Sequence, residues 1–528
     1  MKPRNILLAG AILSALWMTV PMQAEDTNAN PKSEIRNPKS GVGAPTQAED
    51  ANTVELIKQL QKRIDDLEKK VKTLEQEKGT GAGAPDTQTK QRFEELDQKV
   101  KVIEHDREVE AEAAAAIAKE APKLKVGDEG FSIASADGDF VLQLRSVLQL
   151  DSRTFFNESA GIVGNDALLL RRARPILQGT VFRDVDYLFV PDFAGSTPQI
   201  YDAYLNYRLL PELQLQAGKF KAPVGLEQLQ EDRYIFFNER ALPTDLVPNR
   251  DIGFELHGDL FKGVVSYAAG IFNGVGDARI SNNTAFQNNK SFDGRLFFQP
   301  FKPTSLRPLQ GFGFGLSGSY ATEQAPNASA LPNTTGGTLP GFTTDGQQQF
   351  FAYNNGVLAF GDHWHLSPQG YYFYGPFDLL WEYVISDQEV TTSGAAPLHT
   401  ARLENTGWQV AGGWVLTGED ATFKGVLPRH PFNPFSGDWG ALQVIGRFSA
   451  LDVDSAAFSH SYYANPAASA NAAHEWSAGL NWYLNRNVKV AASFAHTTFD
   501  GGGTGTSAVG LVTHKDENVL FTRLQLAF

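Results

Sequence analysis

The stretch Phe140-Val141-Leu142-Gln143-Leu144-Arg145-Ser146-Val147-Leu148-Gln149-Leu150-Asp151 decides how the chain is read. Its even positions are almost all apolar, whereas Gln143, Arg145, Gln149 and Asp151 take odd ones. A period of two sends alternate side chains to opposite faces of a strand, so one face is oily and the other wet. The pattern recurs with Leu442, Val444 and Phe448 against Gln443, Arg447 and Ser449. It recurs again with Trp476, Ala478, Leu480 and Trp482 against Glu475, Ser477, Gly479 and Asn481. About sixteen such segments fit between Asp139 and Phe528, with turn-like gaps of Gly, Asn, Asp and Pro, and bacterial membrane barrels have an even strand number.

A soluble β-sandwich alternates too, so the discrimination rests on the wet face and the aromatics. Arg and Asp stand in mid-strand, where a dry sandwich core could not hold them without partners. Water inside a barrel removes that cost. Tyr201 and Tyr207, Tyr371 to Tyr374, Trp408 and Trp414, and Trp476 and Trp482 read as interfacial rings at strand ends. The last segment puts Leu520, Leu524, Leu526 and Phe528 on one face and Arg523 and Gln525 on the other. The expected fold is therefore all-β, a sixteen-stranded antiparallel transmembrane barrel over 130–528.

Ahead of the barrel the composition changes. Met1-Lys2-Pro3-Arg4 is basic, Ile6 to Val20 is apolar, and Met22-Gln23-Ala24 ends in a small residue, which reads as a signal peptide over 1–24. Residues 25–50 are polar, lack apolar periodicity and repeat Asn-Pro-Lys-Ser at 30–33 and 37–40, a disordered spacer. Ile57, Leu60, Ile64, Leu67, Val71 and Leu74 then recur at spacings of three and four. After a break at Gly79 to Pro85, Phe93, Leu96, Val100 and Ile103 resume the seam, and a second helix is expected over about 89–121. The segment 51–121 is read as a periplasmic coiled coil, with a lone amphipathic helix as the rival reading. Past residue 24 no apolar run reaches 18 residues, so a helical span is not expected.

The full chain carries a net charge of -14, with roughly 26 Lys+Arg against 39 Asp+Glu after residue 125. That balance excludes nucleic acid as an expected partner. The absence of cysteine excludes disulfides and a lipidated thiol. No phosphate loop, nucleophile elbow or Cys/His cluster appears, so neither an enzyme nor a cofactor is expected. His363 and His365 could share a strand face, but no metal set is read around them and they are expected at the membrane interface.

In order along the chain, Leu170-Arg171-Arg172-Ala173-Arg174, Ile200-Tyr201-Asp202-Ala203-Tyr204-Leu205, Gly218-Lys219-Phe220-Lys221-Ala222-Pro223-Val224-Gly225, Phe237-Asn238-Glu239-Arg240 and Gly479-Leu480-Asn481-Trp482 resemble the phosphate-selective porin O and P family. The resemblance runs from about Gly130 to Phe528. It implies a trimer of sixteen-stranded barrels in the outer membrane, each with a long loop folded into the lumen as a constriction. It also implies passage of small polar or anionic solutes, phosphate among them. The seam chemistry of the helices instead favours two strands.

The connection of about thirty residues after Lys221, far longer than a hairpin needs, is taken as the constriction loop. Its candidate residues are Glu231, Asp232, Arg233, Glu239, Arg240 and Arg250. Strand parity makes Arg145, Arg153, Arg447 and Arg523 candidates for lining the pore, joined by Lys219, Lys221, Arg172 and Arg174. Where family members usually carry an arginine in the first strand, Val147 stands here, and the acids Asp151, Asp202, Glu231, Asp232 and Glu239 could neutralise a basic track. The rival function is a structural anchor or adhesin, in which the barrel holds the membrane and the coiled coil binds the cell wall or a helical partner.

Overall fold

The computed structural model describes residues 66, 69–70, 72–73, 87–156, 166–281, 290–323, 339–393, 398–502, 505–507, 510–512 and 516–528. The expected signal peptide, the spacer and most of the first helical seam lie outside the described residues. The chain divides into two compact units, Met1–Arg107 and Glu108–Phe528. A single helix, Thr87–Glu120, carries the second seam. Its Phe93, Leu96, Val100 and Ile103 are exposed.

The second unit is built on sixteen strands. These are β1 (Val141–Phe156), β2 (Ala167–Val181), β3 (Val185–Asp192), β4 (Gln199–Leu210), β5 (Leu213–Lys221), β6 (Arg250–Leu260), β7 (Val265–Phe272) and β8 (Ser291–Phe298). The second half comprises β9 (Phe312–Glu323), β10 (Val357–Tyr374), β11 (Phe377–Thr392), β12 (Thr400–Val415), β13 (Ala441–Asp452), β14 (Ala472–Tyr483), β15 (Val488–Asp500) and β16 (Glu517–Ala527). Each pairs antiparallel with its sequence neighbour, and β16 returns to β1, with Ala527 opposite Val147 and Asn518 opposite Phe156. Closure leaves the barrel no free edge, the condition that hydrocarbon imposes on backbone N–H and C=O groups.

β1 is longer than its closing partner. Its first residues, Val141 to Leu144, pair instead with Ala134 to Phe131 of a leading hairpin (Lys123–Gly127 and Gly130–Ala134). The two occupants of this edge meet at Phe528, which exchanges backbone hydrogen bonds with Ser146 and sets its ring edge-on to Phe131.

The alternation reads directly in the burial. In β1, Leu142, Leu144 and Leu150 are exposed while Gln149, Asp151 and Arg153 are buried. In β14, Trp476 and Leu480 point out while Glu475, Ser477 and Asn481 point in. An apolar exterior around a polar interior inverts the soluble pattern, and lipid is the solvent that suits it. Three of the expected interfacial rings, Tyr201, Tyr371 and Phe373, turn inward instead, Phe373 onto Phe423. Tyr201 lies under the guanidiniums of Arg174 and Arg250, at 3.8 and 4.2 Å from its ring centre, and Tyr371 packs on Phe297 and Phe423.

Connections at one end are tight, as at 182–184, 211–212 and 375–376, and this turn end also holds Phe528 and the leading hairpin. Longer connections mark the opposite loop end. The longest fully described one, 222–249, folds into the barrel. Its Leu242, Leu246 and Val247 join Phe342, Phe350 and Phe351 of the connection before β10, and Leu403 and Leu451 of the wall, in an apolar core inside the loop end. From the turn end, the connection before β13 sends a small hairpin inward, and Phe423 at its tip accepts a hydrogen bond from Gln230 Nε2 at 2.8 Å. The inserted loop is thus held from both ends.

Candidate functional site

The loop 222–249 enters through Gly225, whose φ of 78° suits a residue without a Cβ, and turns through a short helix at Leu226–Leu229. Leu226 N–H donates to Glu382 on the far wall at 2.7 Å, and Gln409 Nε2 donates to Glu227 at 2.8 Å. The loop therefore crosses to β11 and β12. On the near wall two acids of the loop meet four guanidiniums of the wall, and one of them also holds Arg240 of the loop itself. Glu239 receives Arg153 at 2.8 Å and Arg171 at 2.6 and 2.9 Å. Asp232 receives Arg174, Arg240 at 2.6 Å and Arg172 at 3.4 Å.

Burial alone would raise both carboxyls. The guanidiniums of Arg172, Arg240 and Arg174 outweigh it at Asp232, and that of Arg171 at Glu239, so both groups sit well below their ordinary range. They are anions at any physiological pH.

Three further deep arginines are also paired with acids. Arg523 forms a two-point pair with Asp151, 2.7 Å at each contact, and Arg250 faces Asp202 at 3.2 Å. Arg447 is fully buried between Asp345 and Glu475 and donates to the Glu239 carbonyl at 3.0 Å. Arg145 is looser, 3.9 Å from Glu231, which also pairs with Arg233 at 2.9 Å. Toward the turn end two cavities of about 500 and 630 Å³ adjoin the loop, and Arg145, Gln178 and Arg233 border both.

A family profile described as phosphate-selective porin O and P matches residues 142–528. The chain belongs to that family. Porin O of Pseudomonas aeruginosa is 23% identical over 389 residues, covering 70% of this chain and 86% of that protein. Among solved structures, the outer membrane channel DcaP of Acinetobacter baumannii shares 12% identity at a TM-score of 0.45, over 74% of this chain and 97% of its own. An anion-selective porin from Comamonas acidovorans shares 10% at a TM-score of 0.45, over 73% and 99%.

As a phosphate-selective porin O and P member, the chain is an outer-membrane channel, and its family fold places the expected residues as follows. Arg145, Arg153, Arg172, Arg174, Lys219, Lys221, Arg447 and Arg523 all point into the barrel. Of these, Lys221 donates to the loop carbonyls of Leu229 and Gln230, and Lys219 to that of Ser281. Glu231, Asp232, Arg233, Glu239 and Arg240 stand on the inserted loop. Arg250 does not: it opens β6, because pairing of Lys221 with Arg250 starts the ladder there.

Arg171 was not among the candidates, since alternation from Arg172 and Arg174 would turn it outward. A register shift between Gln149 and Leu150 of β1 takes up one extra residue of β2, and Arg171 and Arg172 both face in. No local signal marks the bulge. Asp345 and Glu475, which trap Arg447, come from a distant connection and an adjacent strand.

The reading of His363 and His365 as interface residues with no acid nearby is corrected. Both rings are buried inside the barrel, and Asp277 from the connection between β7 and β8 reaches them. More than eighty residues separate the carboxylate from the rings in sequence, so spacing could not reveal the cluster.

Proposed function

We propose that this porin passes small hydrophilic solutes, anions among them, beside the inserted loop with weak charge selectivity, and that its deep guanidiniums fasten the loop rather than bind the solute. The carrying observation is that Asp232 and Glu239 engage four wall guanidiniums, and Arg240 of the loop itself, in direct ion pairs. Strong anion selectivity needs basic groups whose charge faces the ion rather than a carboxylate. Arg145 and Arg233, which border both cavities and share only Glu231, are the cations best placed to bias passage. Arg174, Lys221, Arg250 and Arg295 border one cavity and Lys489 the other; Arg174, Lys221 and Lys489 are held by the loop, Arg250 is paired with Asp202, and Arg295 rests on Phe297 and Gln369.

Reversal potentials in planar bilayers, under gradients of potassium chloride and potassium phosphate, test this reading. A modest anion preference, similar in both salts and moved toward cations by Arg145→Glu, is expected. Tight saturation by phosphate that survives Arg145→Glu would overturn it.

Short turns face the periplasm in bacterial barrels, which supports a periplasmic turn end and, in this reading, a periplasmic segment 51–121. The exposed seam of Phe93, Leu96, Val100 and Ile103 supports a helical or cell-wall partner for that segment. Homotrimerisation is the assembly that the family resemblance implies. Cross-linking of the full protein and of a variant lacking 51–121 distinguishes a trimer held by barrels from one held by helices.

A further inference from the structure

His363 and His365 project from one face of β10 into the barrel. Ala321 and Gln388 flank His363 in the sheet, and Ser319 and Ser386 flank His365. Asp277 is carried to them by a segment that is fixed at several points. Ala278 N–H donates to the Val247 carbonyl, Asn249 N–H to that of Arg279, and Ser281 N–H to that of Arg250, at 2.9, 3.2 and 2.8 Å. Asp277 Oδ1 lies 2.7 Å from His365 Nε2 and 3.3 Å from His363 Nε2, with the ring centres 4.3 Å apart. All three side chains are buried, and their ligand atoms lie within 4.8 Å of one another.

We propose that Asp277, His363 and His365 form a binding site for one divalent transition-metal ion of zinc type. Two imidazole nitrogens and one carboxylate oxygen are a donor set for zinc, with bonds near 2.0–2.2 Å. Tetrahedral bonds of that length separate ligand atoms by roughly 3.3 Å, so the His363 pair already has the spacing and the His365 pair opens by about half an ångström.

Two further features suit an ion. Ser319 Oγ lies 2.6 Å from His365 Nδ1, where it can accept the Nδ1 proton and leave Nε2 to the metal, the role an outer partner plays for a ligating histidine. Beside the rings is a cavity of about 10 Å³ bordered by both histidines, Ser319, Asp251 and Asp293, which leaves the rings room to adjust on that side. Bound there, the ion clamps the β7–β8 connection to the wall of β10 inside the loop end.

The test uses the untagged full chain, stripped with chelator and dialysed against cobalt(II) and then zinc. One ion per chain is expected, with visible cobalt bands of low-symmetry coordination that zinc abolishes. Asp277→Asn and the double variant His363→Gln/His365→Gln should each weaken binding at least 100-fold while keeping heat-modifiable migration on gels. If the double variant does not fold, Ser319→Ala, which removes only the outer partner, should weaken binding about 10-fold or more. No stoichiometric ion in the parent, or binding equal in parent and variants, overturns the proposal, and the cluster is then a hydrogen-bonded one with a proton on each Nε2.

Discussion

A Cβ built on Gly407 of β12 would lie 3.0 Å from both Cα and Cβ of Pro243 in the inserted loop. The wall is thinned at this point so that the loop can lie against it, and the same Cβ would stand 3.1 Å from the Ala450 carbonyl oxygen of β13. Gly407→Val forces the loop away from β12 and toward the cavities on the opposite side. Overpacking of this kind costs about 1–3 kcal/mol, too little to unfold a closed barrel but enough to shift a loop. Single-channel conductance should fall while gel migration stays heat-modifiable. Unchanged conductance would show that the loop does not border the path there.

The two loop acids make a second, opposite prediction. Asp232→Asn and Glu239→Gln each leave buried guanidiniums facing a neutral amide, and breaking such a pair costs about 3–5 kcal/mol. The loop loosens and uncompensated positive charge appears in the lumen. The anion-to-cation permeability ratio should rise several-fold in either variant and further in the double one. A reversal potential equal to that of the parent would show that the arginines stay out of reach of passing ions.

Acid should leave this fastening intact over an unusual range. Both carboxyls are depressed in the folded chain relative to ordinary values of 3.8 and 4.5. A depressed folded value means that the stabilisation is fully present above the ordinary value and is lost only as pH falls through the depressed one. Tryptic cleavage at Arg233 and Arg240, monitored by mass spectrometry after brief exposure to pH 4 and return to neutrality, should match the unexposed sample. Asp232→Asn should be cleaved faster at both.

The barrel was legible because alternation is local: Phe140 to Asp151 carries its own inside and outside, and β1 keeps that assignment throughout. Arg523 and Arg447 were placed inward by the same parity. What parity cannot carry is the partner of each inward charge. Asp345 meets Arg447 across 102 positions of sequence and Asp277 meets His365 across 88, and such contacts follow from loop paths that no period encodes. Arg171 shows a further limit, since a single bulge reverses the face of every residue beyond it. The turns at Phe182-Arg183 and Phe261-Lys262 are hidden for a different reason, each placing two non-glycine residues at positive φ without the Asn-Gly signal such hairpins usually carry.

Parity alone would treat charge reversal at Arg145 and Arg447 as equivalent, and the structure separates them. Arg145 has a long ion pair with the exposed Glu231 and a hydrogen bond to Gln178 at 3.3 Å and borders two cavities, so Arg145→Glu should alter selectivity with little change in stability. Arg447 is enclosed by Asp345, Glu475 and, at 3.9 Å, Glu227, so Arg447→Glu gathers four carboxylates in one buried space. A loss of at least the 3–5 kcal/mol typical of a broken buried pair is expected, as large as that of a misplaced lipid-facing charge. Leu480→Arg supplies that reference, about 2–4 kcal/mol near mid-membrane for an outward position. Urea unfolding in detergent or bilayers, followed by tryptophan fluorescence, should therefore rank the variants with Arg145→Glu near the parent and the other two well below it. If Arg447→Glu instead unfolds with the parent, the carboxylate cage around Arg447 does not hold the loop.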